Sequence, residues 1–157
     1  MNVWTKDLVF YYYTNNSLSK GIITIFITDD DADDREFLTE ALSDKGFEGI
    51  LKLFANGQHL MDHLERHTLS IIDLIVLDLN MPVKDGYITL TELKHNEKYK
   101  HIPVMILTSS SREDDEQFCY NLGCNHFMRK PLSLTGYRKL AEDIITYAEK
   151  VHITEDL

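Results

Sequence analysis

From Ile22 onward, apolar and polar positions fall into segments of regularly changing period. The run Ile22-Ile23-Thr24-Ile25-Phe26-Ile27-Thr28 is β-branched almost throughout and stops at Asp29, Asp30 and Asp31. It reads as a buried strand. Phe37, Leu38, Ala41 and Leu42 then recur at helical spacing, and Gly46 marks the stop. Ile50 to Phe54 predicts a second strand, and Asn56-Gly57 a turn into a helix with Leu60, Met61 and Leu64 on one face. Asp73 to Asp78 predicts a third strand, again closed by an aspartate. A helix from Asp85-Gly86 to about His95, a strand from Pro103 to Thr108, and a helix from about Glu113 to Leu122 follow. Phe127-Met128-Arg129 predicts a short fifth strand before Lys130-Pro131. Tyr137, Leu140, Ala141, Ile144, Ala148 and Val151 form the apolar stripe of a last helix.

Five βα units in a row, with short connections, demand parallel strands. Strands that are apolar along their whole length demand cover on both faces. The pattern therefore predicts a doubly wound α/β fold of five parallel strands. It covers about residues 21–150. Residues 1–20 read as an N-terminal extension, expected to be loosely ordered, and 151–157 as a C-terminal tail.

Composition narrows the function. The chain has 157 residues, enough for one domain with a core of its own. Its formal net charge of −10 disfavours nucleic acid and anionic membranes as partners. No apolar run approaches the roughly 20 residues of a membrane span. Cys119 and Cys124 are too few for a disulfide framework and read as reduced thiols of a cytoplasmic protein.

Candidate chemistry follows from topology. In an open parallel sheet, sites form beyond the carboxyl ends of the strands. Asp29 and Asp30 end the first strand, Asp78 the third, Thr108 the fourth and Lys130 the fifth. Three carboxylates at one rim repel one another, and a hard cation such as Mg²⁺ relieves that repulsion. A carboxylate beside a cation, a lysine and a hydroxyl is placed to receive a phosphoryl group.

The same residues carry a resemblance. Asp29-Asp30 with Arg35 beyond them, Asp78-Leu79-Asn80-Met81-Pro82 with Asp85-Gly86, Ile106-Leu107-Thr108-Ser109 and Lys130-Pro131 resemble the receiver domain of two-component response regulators. The separations of 30 residues (Asp78 to Thr108) and 52 (Asp78 to Lys130) fit that family. The resemblance implies a flavodoxin-like strand order of 2-1-3-4-5. It implies Asp78 as phosphoacceptor, and Mg²⁺, with Mn²⁺ able to substitute, held by Asp30, Asp78 and the backbone carbonyl of Asn80. Asp29 would act largely through water. Lys130 would contact the phosphoryl group, Thr108 would move toward it, and Phe127 would occupy the switch-aromatic position. The Lys130–Pro131 peptide would be cis. Asn80 and Ser110 would lie where the family tunes dephosphorylation.

The implied function is a signalling receiver, not a metabolic enzyme. The donor would be a sensor histidine kinase or a histidine phosphotransfer protein, and the output binding to a downstream target protein. With few residues outside the domain, a stand-alone receiver, monomeric or weakly dimeric, is expected. A phosphorelay intermediate passing the phosphoryl group onward is the main alternative, and a phosphorylation-independent binding module a lesser one. An aspartyl-phosphate hydrolase usually needs a second acid two residues after the nucleophile, where this chain has Asn80.

Three features read as structural. His59, His63 and His67 recur every fourth residue, a spacing that could bind a metal, but they read as an exposed polar face. Cys119 and Cys124 read as packing residues, and Glu113 to Glu116 as favourable charge at a helix start.

Overall fold

The structure, a computed structural model, describes residues 21–67 and 71–155. The extension 1–20 and the last two residues lie outside the described residues. Among the described residues, five strands and five helices alternate. They are β1 (Thr24–Thr28), α1 (Ala32–Asp44), β2 (Ile50–Phe54), α2 (Gly57–Arg66) and β3 (Leu74–Leu77). They continue as α3 (Gly86–His95), β4 (Val104–Thr108), α4 (Asp115–Leu122), β5 (His126–Arg129) and α5 (Leu134–Glu155). The sheet is parallel throughout, in the order β2-β1-β3-β4-β5.

Side chains alternate across the sheet, so each strand feeds two cores. Phe26, Ile75, Leu77, Val104 and Ile106 face one way and pack with Leu60 and Leu64 of α2, Leu90 and Leu93 of α3 and Cys119 of α4. Ile25, Ile27, Leu74, Val76, Met105 and Leu107 face the other way and meet Leu38 and Leu42 of α1 and Tyr137, Leu140 and Ile144 of α5. This explains why the strands read as continuous apolar runs.

Helix starts are fixed by side chains that accept otherwise unpaired backbone N–H groups. Asp31 accepts from Asp33 and Asp34, Asn56 from His59, and Asp85 from Ile88. At the far end of α4, Gly123 takes φ 103°, the left-handed region where glycine carries no steric penalty.

The last helix departs from expectation. It does not give way to a tail at 151 but runs to Glu155. His152 explains the extension: its Nδ1 lies 2.6 Å from Oδ1 of the fully buried Asp73. The other Asp73 oxygen accepts the Thr24 amide at 2.7 Å, so α5 is fastened to the entry of β1 and β3. No helix among the described residues is long and apolar enough to cross a membrane.

Candidate functional site

Parallel strands deliver their carboxyl ends to one rim, and the ladder fixes where each chain leaves it. The Asp29 amide donates to Phe54 at 3.0 Å, Asp78 to Thr28 at 2.9 Å and Lys130 to Thr108 at 2.8 Å. The site residues therefore begin on hydrogen-bonded backbone, which limits their freedom. At Gly86 the first turn of α3 presses on the end of β3. A Cβ there would run into the Asp78 carbonyl oxygen and Leu79 Cα.

The predicted residues converge. One carboxylate oxygen from each of Asp29, Asp30 and Asp78 lies within 4.8 Å of the others. Asp29 and Asp78 are buried, whereas Asp30 is exposed. The Lys130 ammonium reaches Asp29 Oδ2 at 2.7 Å and Asp78 Oδ2 at 3.2 Å. Asp78 Oδ1 accepts the Leu79 amide at 2.7 Å. Thr108 is fully buried beside Asp78 and accepts the Ser110 amide at 3.1 Å.

Burial sets the protonation chemistry. It is the largest influence on Asp29 and pushes its carboxyl up to about 6; Lys130 opposes the rise and Asp78 adds to it. Burial also raises Asp78, against the pull of Lys130, the Leu79 amide and Thr108. Burial would lower Lys130, but hydrogen bonds to Asp29 and Asp34 overcome it and hold the ammonium above the usual lysine range. The donor set is all oxygen and partly dehydrated, which suits a hard divalent cation.

Some expectations are revised. The Lys130–Pro131 peptide is trans, as are all peptides among the described residues. Trans is the intrinsically favoured isomer even before proline, and the lysine reaches its partners without a cis bond. Phe127 is buried among α3 and α4 side chains, and the Arg129 guanidinium stands 5.7 Å from its ring centroid. Arg129 also donates to the carbonyls of Ser110 and Arg112, tying β5 to the loop after β4. Asn80 is exposed beyond the end of β3.

Sequence reading missed Asp34, which accepts from Lys130 at 2.8 Å through Oδ2 and from the Tyr137 hydroxyl at 3.1 Å through Oδ1. The capping register was the available signal. With Asp31 as N-cap, Asp34 is the third helical residue, and a side chain there folds back over the cap toward the rim.

The other features resolve differently. His59 and His67 are exposed, but His63 is half-buried, its ring against Phe26 and Phe54 and stacked on His67 at 4.1 Å. Burial, then Lys52 and His67, lower His63 to about 4. Cys119 and Cys124 are unpaired and buried, with thiols pushed up to about 12 and about 11 chiefly by burial. Asp115 stands in the first turn of α4, as expected. It is also buried and accepts from the Ser110 hydroxyl, with Arg112 3.5 Å away.

Comparison with known proteins agrees with this geometry. A family model for the response regulator receiver domain matches residues 25–142. Response regulator Rcp1 of Synechocystis is 32% identical over 127 residues, covering 78% of this chain and 86% of Rcp1. A probable cyclic di-GMP phosphodiesterase of Vibrio cholerae is 34% identical over 111 residues; they span 71% of this chain but 24% of that protein. Among solved structures, the phosphorylated cyanobacterial phytochrome response regulator RcpA superimposes with a TM-score of 0.73 at 31% identity, covering 79% of this chain and 91% of RcpA. The Mn²⁺-bound form of Rcp1 gives 0.71 at 32% identity, covering 78% and 91%. The acidic cluster of Asp29, Asp30 and Asp78 fits the divalent-metal site of such domains. The parallel 2-1-3-4-5 sheet, its rim of carboxylates and lysine, and the match over residues 25–142 together make this chain a member of the response-regulator receiver family of two-component signalling.

Proposed function

We propose that Asp78 accepts a phosphoryl group from a phosphohistidine on a sensor kinase or phosphotransfer protein, and that the product switches binding to a target protein. The observation that carries this reading is the placement of Asp78. Its carboxylate lies 3.2 Å from the Lys130 ammonium and inside the acidic cluster. Asp29, Asp30 and Asp78, with the Asn80 carbonyl, would hold Mg²⁺, or Mn²⁺ in its place. When bound, the cation offsets repulsion among the carboxylates and charge on the transferring oxygens.

The remaining steps belong to the chain. An Asp78 oxygen attacks phosphorus in line with the P–N bond. That bond breaks, the imidazole departs with its electron pair and picks up a proton, and an acyl phosphate forms on Asp78. Lys130 turns an N–H toward a phosphoryl oxygen. The Thr108 hydroxyl turns to the phosphoryl group. Ser110 is bonded to the Thr108 hydroxyl, so the loop after β4 moves with it. Phe127 shifts in the space that this movement opens, and a target that prefers the moved state binds more tightly. The two unpaired thiols accord with a reducing compartment, the cytoplasm.

The test uses Mg²⁺ and acetyl phosphate, with intact-mass detection. The native chain should gain one base-labile phosphoryl group, and chelation of Mg²⁺ should prevent it. Asp78→Asn should gain none at the native rate. Equal modification of Asp78→Asn, or modification that ignores chelation, would overturn the assignment.

A further inference from the structure

Three carboxylates surround the Lys130 ammonium: Asp29 at 2.7 Å, Asp34 at 2.8 Å and Asp78 at 3.2 Å, the last two as hydrogen-bond acceptors. Two of these, Asp29 and Asp78, belong to the cluster that suits a divalent cation, and Asp34 does not. The lysine and the cation therefore compete for the same oxygens, and their like charges repel. Lys130 needs a seat that the cation does not claim. Asp34 supplies one and is itself held in place. It stands in the first turn of α1, behind the Asp31 cap, and its second oxygen takes the Tyr137 hydroxyl of α5 at 3.1 Å.

We infer that Asp34, steadied by Tyr137, is a positioning residue that draws the Lys130 ammonium aside and so lets a divalent cation enter between Asp29, Asp30 and Asp78. The inference rests on the proposed metal-dependent reading of the site. Without Asp34, the ammonium keeps only Asp29 and Asp78 and settles between them. A cation must then displace it from both. Asp34 consequently acts on the cation through Lys130, not by direct ligation. It also keeps the ammonium at the rim, in reach of a phosphoryl group on Asp78.

A double-mutant cycle isolates that route. Mg²⁺ alone is titrated calorimetrically into the full chain, Asp34→Asn, Lys130→Met and the pair. Asp33→Asn serves as a charge control, because Asp33 is exposed on the same turn. Native protein should bind Mg²⁺, and Asp34→Asn should bind it roughly fivefold more weakly, the scale of coupling within one charge network. Asp33→Asn should change affinity less than about twofold, as a screened surface charge does. In the Lys130→Met background, Asp34→Asn should shrink to the effect of the charge control. Far-ultraviolet circular dichroism of each variant confirms the fold, and Tyr137→Phe gives a second, milder perturbation of the same sign.

An Asp34→Asn loss that persists undiminished without Lys130 would overturn the inference in favour of simple charge or direct ligation. So would an Asp34→Asn effect equal to that of Asp33→Asn while the native chain binds Mg²⁺ and accepts phosphate. Failure of the native chain to bind Mg²⁺ would instead remove the metal-dependent function, and this inference with it.

Discussion

Lys130 and Asp78 are 52 residues apart in sequence, and their side chains approach to 3.2 Å at the rim of the sheet. With Asp29 at 2.7 Å, the ammonium neutralises part of a cluster that burial has stripped of water. Breaking a buried pair from one side strands the other charge. Lys130→Met should therefore destabilise the metal-free fold at neutral pH by about 3 kcal/mol. Mg²⁺ should restore more stability to the variant than it adds to the native chain, because the competitor for its oxygens is gone. Urea unfolding with and without Mg²⁺ measures both quantities. A variant as stable as the native chain, or one that Mg²⁺ helps less, would contradict the balance described.

The site also makes a pH prediction. Asp29 rises from its ordinary 3.8 to about 6, first because of burial. A carboxyl raised in the folded state favours the fold below pH ~4, and that contribution fades as pH climbs through about 6. Cation binding runs the opposite way, since it needs the ionised form. Mg²⁺ affinity should increase from pH 5 to 7 and level off above. Calorimetric titration at several pH values tests this, and an affinity unchanged down to pH 5 would refute it.

Val83 offers a change that should stabilise the protein. It sits at φ 68° in the loop between β3 and α3, with its side chain 83% exposed. The Lys84 amide donates to Pro82 across it at 2.8 Å, closing a three-residue turn. The left-handed region costs a residue with a Cβ roughly 1–2 kcal/mol, and a β-branched one is a true outlier there. Val83→Gly removes the penalty at some cost in unfolded-state entropy. The net gain should be about 1 kcal/mol in urea unfolding, and a loss of stability would show that the turn is not strained.

Most of the architecture was legible because it repeats. β1, β3 and β4 are apolar runs rich in β-branched residues that close on an aspartate or a threonine, and all five strands lie within two residues of their expected bounds. Strand order was not legible from periodicity; it came with the resemblance and matches the observed sheet. The acidic segment from Asp29 to Glu36 shows where reading stops. Asp29 and Asp30 could be assigned because they end a strand. Asp31 turned out to cap α1 and Asp34 to grip Lys130, roles fixed by the exact start of a helix. Helix starts are the least certain feature of a pattern. His63 was taken as part of an exposed face for a similar reason. Its burial comes from Phe26 and Phe54, residues far enough along the chain that no local period connects them.

The length of α5 gives the molecule a lever. Tyr137, near its start, holds Asp34 at the carboxylate rim, and His152, near its end, holds Asp73 at the opposite rim. They lie fifteen helical positions apart, about 22 Å at 1.5 Å per step. One rigid rod is thus pinned at both poles of the sheet. The helix that steadies Asp34 is itself held at its far end, through Asp73, to the start of β1. Each rim of the sheet thus has a polar contact to the same helix, buried at the far end and part-buried at the acidic one.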